Sequence, residues 1–205
     1  LGAQMIVYPT TPVRNQCVSL AFHKIAFSPE ECQALINSVD QSAWMEGKVG
    51  GHGKLGEFLE VPEARSCREQ QLPIDANGYP INRIVQQLCQ ANSDGWKFEL
   101  SGLVGDDMPY IMRYDADGRG HNDWHVDIGQ AANASRKLAF TVQLSDPDSY
   151  DGGDLSFHNM QVDAQVVRKL GNMTIFPTYW LHRVSPITRG SRFAIVGWVH
   201  GPSFR

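Results

Sequence analysis

The sequence predicts an α+β fold: a few helices in the first half, buttressing a double-sheet barrel of jelly-roll type in the second. Three observations carry this. Helix start signals and helical apolar spacing fall within residues 1–97. From Phe98 onward come seven short segments rich in β-branched and aromatic residues, separated by Asp-Gly turns. The 205 residues amount to one ordinary domain. Residues 1–97 are therefore expected to supply helical and loop support, and 98–205 the barrel core, of a single unit.

The first helix is announced by Ser28-Pro29-Glu30-Glu31. Ser28 is an N-cap, Pro29 takes the first helical position, and Glu31 completes a capping box. Cys32, Leu35 and Ile36 give it an apolar face. The second helix starts near Pro80, where Ile81, Ile84, Val85 and Leu88 repeat at i, i+3, i+4 and i+7. Between the helices, five glycines fall within Gly47–Gly56. The stretch Gly47–Glu60 reads either as a mobile lid over a site or as a surface hairpin, because glycine permits motion without requiring it. The strand candidates are Phe98–Leu103, Pro109–Tyr114, Lys137–Leu144, Asp154–His158, Gln165–Arg168, Asn172–Phe176 and Arg192–Val199.

Composition removes several function classes. The net charge of −4, without a basic run, lacks the electrostatic footprint of a nucleic-acid binder. No apolar run is long enough to span a bilayer, and no charged-then-apolar leader opens the chain. Cys17, Cys32, Cys67 and Cys89 include no CxxC pair, which argues against a thiolate zinc site and a disulfide framework. A reduced, cytoplasmic setting is expected.

The densest polar cluster is Gly120-His121-Asn122-Asp123-Trp124-His125-Val126-Asp127. In extended chain, His125 and Asp127 share a face. An imidazole and a carboxylate together suit Fe(II), Mn(II) or Zn(II). His182, among large apolar neighbours in Trp180-Leu181-His182-Arg183-Val184, offers a second imidazole. Two histidines and one carboxylate make a facial triad that leaves coordination positions open. Arg192 opens an apolar strand ten residues later, and a buried guanidinium is costly unless paired. Its planar fork fits a carboxylate, and the sequence offers no evident protein partner. Each feature also has a plainer reading: a chance triplet, a core histidine, a structural salt bridge. His121, His158 and His200 read as loop, polar-face and exposed residues, and Asp151-Gly152-Gly153-Asp154 as a turn at the barrel mouth.

Taken together, His125-x-Asp127, His182 and Arg192 resemble the Fe(II)/2-oxoglutarate dioxygenases, and more narrowly their prolyl 4-hydroxylase-type, or PKHD-type, hydroxylase branch. Arg113-Tyr114, the segment Leu144–Leu155 and the segment Leu181–Arg192 support the likeness, which covers about residues 98–200 well and the first half loosely, through Arg65-Ser66. The resemblance implies a double-stranded β-helix (jelly roll). It implies Fe(II) on His125, Asp127 and His182, with 2-oxoglutarate and O2 as cosubstrates and ascorbate in support. Arg192 would pair with the distal carboxylate of 2-oxoglutarate. Tyr114 matches a position whose phenol reaches that cosubstrate, although Tyr110 shares its face by parity, and Gln143 would hydrogen-bond the cosubstrate or simply pack. Asn122 departs from the family, which often has an aromatic residue there. Asp127 is retained, whereas halogenases of the superfamily replace it by Ala or Gly, so hydroxylation is expected.

The implied substrate is a small-molecule amino acid, or a peptide or protein side chain, prolyl among them, with succinate and CO2 as co-products. Trp124, Phe140, Phe176 and Trp198 could supply a dry wall, and Lys48, Lys54 and Arg65 could meet a substrate carboxylate. The competing readings are a Zn/Mn hydrolase on the same ligands, which has no use for Arg192, and a non-catalytic jelly-roll binding module. The oligomeric state is not legible.

Overall fold

The structure is a computed structural model that describes residues 22–50, 57–158 and 160–204. In chain order the strands are β1 (Phe22–Ile25), β2 (Met45–Glu46), β3 (Val49–Gly50), β4 (Phe58–Leu59), β5 (Arg65–Ser66), β6 (Arg68–Gln71), β7 (Tyr110–Asp115), β8 (His121–His125), β9 (Arg136–Gln143), β10 (Leu155–Phe157), β11 (Asn172–Pro177), β12 (His182–Val184) and β13 (Ser191–His200). The α-helices are α1 (Pro29–Asn37), α2 (Ile81–Asp94) and α3 (Ala164–Arg168).

Every strand pairing among the described residues is antiparallel. A large sheet runs β1-β11-β9-β13-β7-β6-β2 and a smaller one β10-β12-β8-β5, with β3-β4 as a separate hairpin. These two facing sheets are the predicted jelly roll.

The helices form as the sequence dictates. Ser28 caps α1: its hydroxyl accepts from Glu31 N, and the Glu31 carboxylate accepts from Ser28 N. In α2 the stripe of Ile84, Leu88 and Ala91 is buried against the large sheet. Each buried Ile or Leu contributes roughly 2 kcal/mol. The sheet meets the helices with one face only, because side chains alternate along a strand. On β13, Phe193, Ile195 and Val199 pack into the core under the helices, while Arg192, Val196 and Trp198 face the space between the sheets.

Two strand expectations fail. Gln165–Arg168 is helical: the Asp163 carboxylate accepts from Gln165 N and starts the short turn α3. Phe98–Leu103 has no strand partner beyond a bridge from Gly102 to His200, and is tethered at Phe98 by the Asn92 side chain. The flanks of Gly47–Glu60 pair as the β3-β4 hairpin, while residues 51–56, with Lys54, lie outside the described residues, as does Cys17. Cys32 and Cys67 are buried and Cys89 exposed, all free.

Candidate active site

Between the two sheets lies a cavity of about 620 Å³. His125 is the last residue of β8, and His182 the first of β12, directly across the ladder. Asp127 follows β8, fixed by its backbone N–H, which donates to Thr178 O at 2.9 Å. The three side chains meet with their ligand atoms within 4.8 Å of one another. The two rings lie 4.2 Å apart and Asp127 faces both, its Oδ1 3.5 Å from His125 Nε2 and its Oδ2 3.5 Å from His182 Nε2.

The hydrogen bonds set the tautomers. His125 Nδ1 donates to Asp123 O at 2.7 Å, and His182 Nδ1 donates to Trp180 O at 2.8 Å. A carbonyl only accepts, so both protons sit on Nδ1, and the Nε2 lone pairs of the neutral rings face Asp127. Asn122 Nδ2 donates to His125 Nε2 at 3.2 Å. Burial opposes ionisation of Asp127, but the His182 and His125 rings, once a second proton on Nε2 makes them cationic, outweigh it and hold the carboxyl well below the usual range. Burial also works against charge on His125, yet Asp127 raises it above its ordinary value; His182, more deeply buried, is lowered. Two imidazole nitrogens and a carboxylate, with a cavity on their open side, fit a divalent ion such as Fe(II).

Arg192 is 4% exposed, and its Nε donates to Gln143 Oε1 at 3.0 Å. Among the described residues no carboxylate pairs with it. Its Cζ lies 5.3 Å from the centre of the Tyr114 ring, its register partner on β7. Burial pushes the Tyr114 phenol up to about 12. Both side chains line the cavity, as do Phe176 and Trp198. Gln143 and Tyr110 do not.

Several residues sit differently from their sequence reading. Phe140 borders the cavity as expected but is also part of the core under the helices, and Trp124 lines the mouth 37% exposed, between the Arg183 guanidinium and His158. Arg65 and Lys48 line the cavity, and the Arg65 guanidinium is engaged within the protein: it pairs with Glu69, and donates to Lys48 O and Cys67 Sγ. His121 belongs to β8, and its ring nitrogens meet Arg119 O and Glu63 O. His200 is buried against Asp107 and Ser135. The sequence reading missed Arg136. Its guanidinium pairs with Asp107, lies 3.6 Å over Trp198, and donates to Asp127 O at 3.2 Å. An Arg opening an apolar strand signals it, as it does Arg192, but Asp107 lies 29 residues away.

Two facing antiparallel sheets with a His-Asp-His cluster between them define a jelly-roll metalloenzyme scaffold. A profile of the 2OG-Fe(II) oxygenase superfamily matches residues 110–200. A PKHD-type hydroxylase of Synechococcus sp. is 39% identical over 159 residues, covering 78% of this chain and 67% of that one. A second, from Stutzerimonas stutzeri, is 29% identical over 180 residues, covering 84% and 74%. Among solved structures, a prolyl hydroxylase from Trichoplax adhaerens, in complex with a hypoxia inducible factor oxygen degradation domain peptide fragment, shares the fold. The TM-score is 0.67 at 15% identity, over 88% of this chain and 83% of that one. The chain belongs to the PKHD-type hydroxylases of the 2OG-Fe(II) oxygenase superfamily. It is thus a 2-oxoglutarate- and Fe(II)-dependent hydroxylase. No helix among the described residues is long and apolar enough to cross a membrane.

Proposed function

We propose that His125, Asp127 and His182 hold Fe(II), that Arg192 receives the distal carboxylate of 2-oxoglutarate, and that the enzyme hydroxylates an unactivated C–H of an amino-acid or peptidyl side chain, prolyl among the candidates. The observation that carries this is a single cavity whose lining bears both the three-ligand cluster and a buried guanidinium without a carboxylate partner among the described residues. Bound there, Fe(II) supplies the oxidising chemistry that couples decarboxylation of 2-oxoglutarate to hydroxylation, with succinate and CO2 as co-products.

The protein's own part follows from its contacts. The two Nδ1–H bonds to backbone carbonyls aim both imidazoles. Thr178 O and Arg136 fix the Asp127 backbone from either side. Arg192 orients the cosubstrate, and Tyr114, whose hydroxyl has no hydrogen bond to a described residue, offers it a further polar contact. Phe176 and Trp198 exclude water. A peptidyl substrate is supported by the exposed apolar side chains at the mouth, Phe58, Trp124 and Val126, and by the peptide bound to the Trichoplax relative of this fold.

The test is succinate release from 2-oxoglutarate with Fe(II), screened over free amino acids and prolyl peptides. Asp127→Ala is expected to abolish both Fe(II) binding and product formation. Full hydroxylation by Asp127→Ala protein would overturn the assignment, and turnover on a substrate that is neither amino acid nor peptide would overturn the substrate class.

A further inference from the structure

We infer that Gln143 and Tyr150 are positioning residues that fix which edge of the Arg192 guanidinium meets the dicarboxylate cosubstrate. This rests on the assignment of Arg192 made above. Gln143 is 3% exposed and stands outside the cavity wall, one step behind Arg192. Its amide is used at both ends. Oε1 accepts from Arg192 Nε at 3.0 Å, while Nε2 donates to Tyr150 Oη at 2.8 Å and to Ser145 O at 3.3 Å.

The chain of partners determines the orientation of the amide. The guanidinium only donates and the Ser145 carbonyl only accepts. Turned over, the amide would set its NH2 group against the Nε–H and its oxygen against a carbonyl. Tyr150 is in turn immobilised: it is fully buried, and Arg168 lies 4.3 Å over its ring and donates to its backbone carbonyl. Arg168 is itself paired with Asp154. The order thus runs from Arg168 through Tyr150 and Gln143 to Arg192.

A guanidinium can meet a carboxylate bidentately through its Nε edge or through its two terminal nitrogens. Gln143 occupies Nε, so the terminal edge is left for the ligand. That edge then sets the distance available between the carboxylate and the His125-Asp127-His182 cluster. The chemistry selected is a dicarboxylate of one length, so the Gln143 bond is a length filter as well as an anchor.

The experiment is anaerobic calorimetric titration of 2-oxoglutarate, and of its one-methylene-longer homologue 2-oxoadipate, into Fe(II)-loaded protein. Fe(II) affinity and thermal unfolding are measured on every variant. Gln143→Leu is expected to weaken 2-oxoglutarate binding by about tenfold, the loss of one hydrogen bond to a charged group. It should also narrow the preference over 2-oxoadipate. Gln143→Glu is expected to weaken binding by at least about a hundredfold, because its carboxylate pairs with Arg192 in place of the ligand. Tyr150→Phe preserves the packing and is expected to give a smaller loss. Fe(II) affinity should hold throughout.

Binding of 2-oxoglutarate by Gln143→Glu at wild-type affinity would overturn the inference. So would an equal loss of Fe(II) and 2-oxoglutarate affinity in Gln143→Leu, which marks a merely structural role. If Gln143→Glu does not fold, Tyr150→Phe and Gln143→Leu carry the test. Arg192→Met separates the two levels. Undiminished binding by Arg192→Met overturns the assignment of Arg192 itself. Its loss, alongside unchanged binding in the Gln143 and Tyr150 variants, overturns only the positioning role.

Discussion

Replacing Asp107 by Asn should destabilise the enzyme far more than loss of a surface ion pair. Asp107 accepts from Arg136 through both oxygens, at 2.7 Å each, and its Oδ2 also meets His200 Nε2 at 3.0 Å. The paired side chains are only 17% and 11% exposed, so solvent screens them little. Asn keeps the shape but has one oxygen, so one of its faces sets an NH2 against a donor. The loss is one charge-assisted hydrogen bond and part of the compensation for a buried guanidinium, about 3 kcal/mol in all. For a chain of this size that lowers the melting temperature by roughly 6–12 °C. Urea melts followed by tryptophan fluorescence would measure it. Because Arg136 donates to Asp127 O, the same variant should also bind Fe(II) more weakly. Adding Arg136→Met removes the stranded charge and leaves an apolar chain on Trp198, so part of the stability should return. A cost below about 0.5 kcal/mol for Asp107→Asn would place the pair among solvent-screened bridges and end the argument.

Gly153 has φ +67°, and a Cβ there would lie 2.4 Å from Ile187 Cδ1 and 2.9 Å from Arg192 Cδ. Gly153→Ala should cost about 2–3 kcal/mol in left-handed strain and overpacking, and raise KM for 2-oxoglutarate by displacing Arg192; an unchanged KM would show that Arg192 is not held from this side. Stability should also fall at alkaline pH. Burial pushes the Cys32 thiol up from 9.0 to about 11 and the Tyr114 phenol from 10.0 to about 12. The folded state thus holds both protons more tightly than the unfolded chain. Stability is at its full value below pH 9, then declines to pH 11 through Cys32 and between 10 and 12 through Tyr114, by about 1.4 kcal/mol per unit for each group. Urea melts from pH 8 to 11 would read this, and a slope unchanged by Cys32→Ala would refute the Cys32 contribution.

What the sequence made legible was decided within one element or one strand ladder. The Ser28 capping box and the Ile84-Leu88 stripe are local, and both helices follow. The alternation along β13 is local too, which is why Arg192 could be read as buried before any partner was known. The types and spacing of His125, Asp127 and His182 were legible, but strand alternation is not what joins the first two: β8 ends at His125, and Asp127 is turned toward the cluster in the bend that follows, held through its N–H by Thr178 O. What could not be read depends on partners far along the chain. Asp107 buries His200 from 93 residues away, and Glu69 engages an arginine that the sequence offers to substrate. The two-residue strands β2 to β5 are too short to carry a period.

The contrast between Arg192 and Arg136 shows where such reading gains functional content. Both are buried arginines near the start of an apolar strand, and the sequence gives no reason to treat them differently. Arg136 finds a carboxylate in Asp107 and holds a backbone carbonyl at the metal-ligand cluster. Among the described residues Arg192 meets a neutral amide, itself oriented by Tyr150, and the Tyr114 ring, but no carboxylate. A buried guanidinium left with an amide partner is costly to the empty protein. An incoming carboxylate would remove that cost, so the cosubstrate role proposed for Arg192 rests on the same physics that makes Arg136 structural.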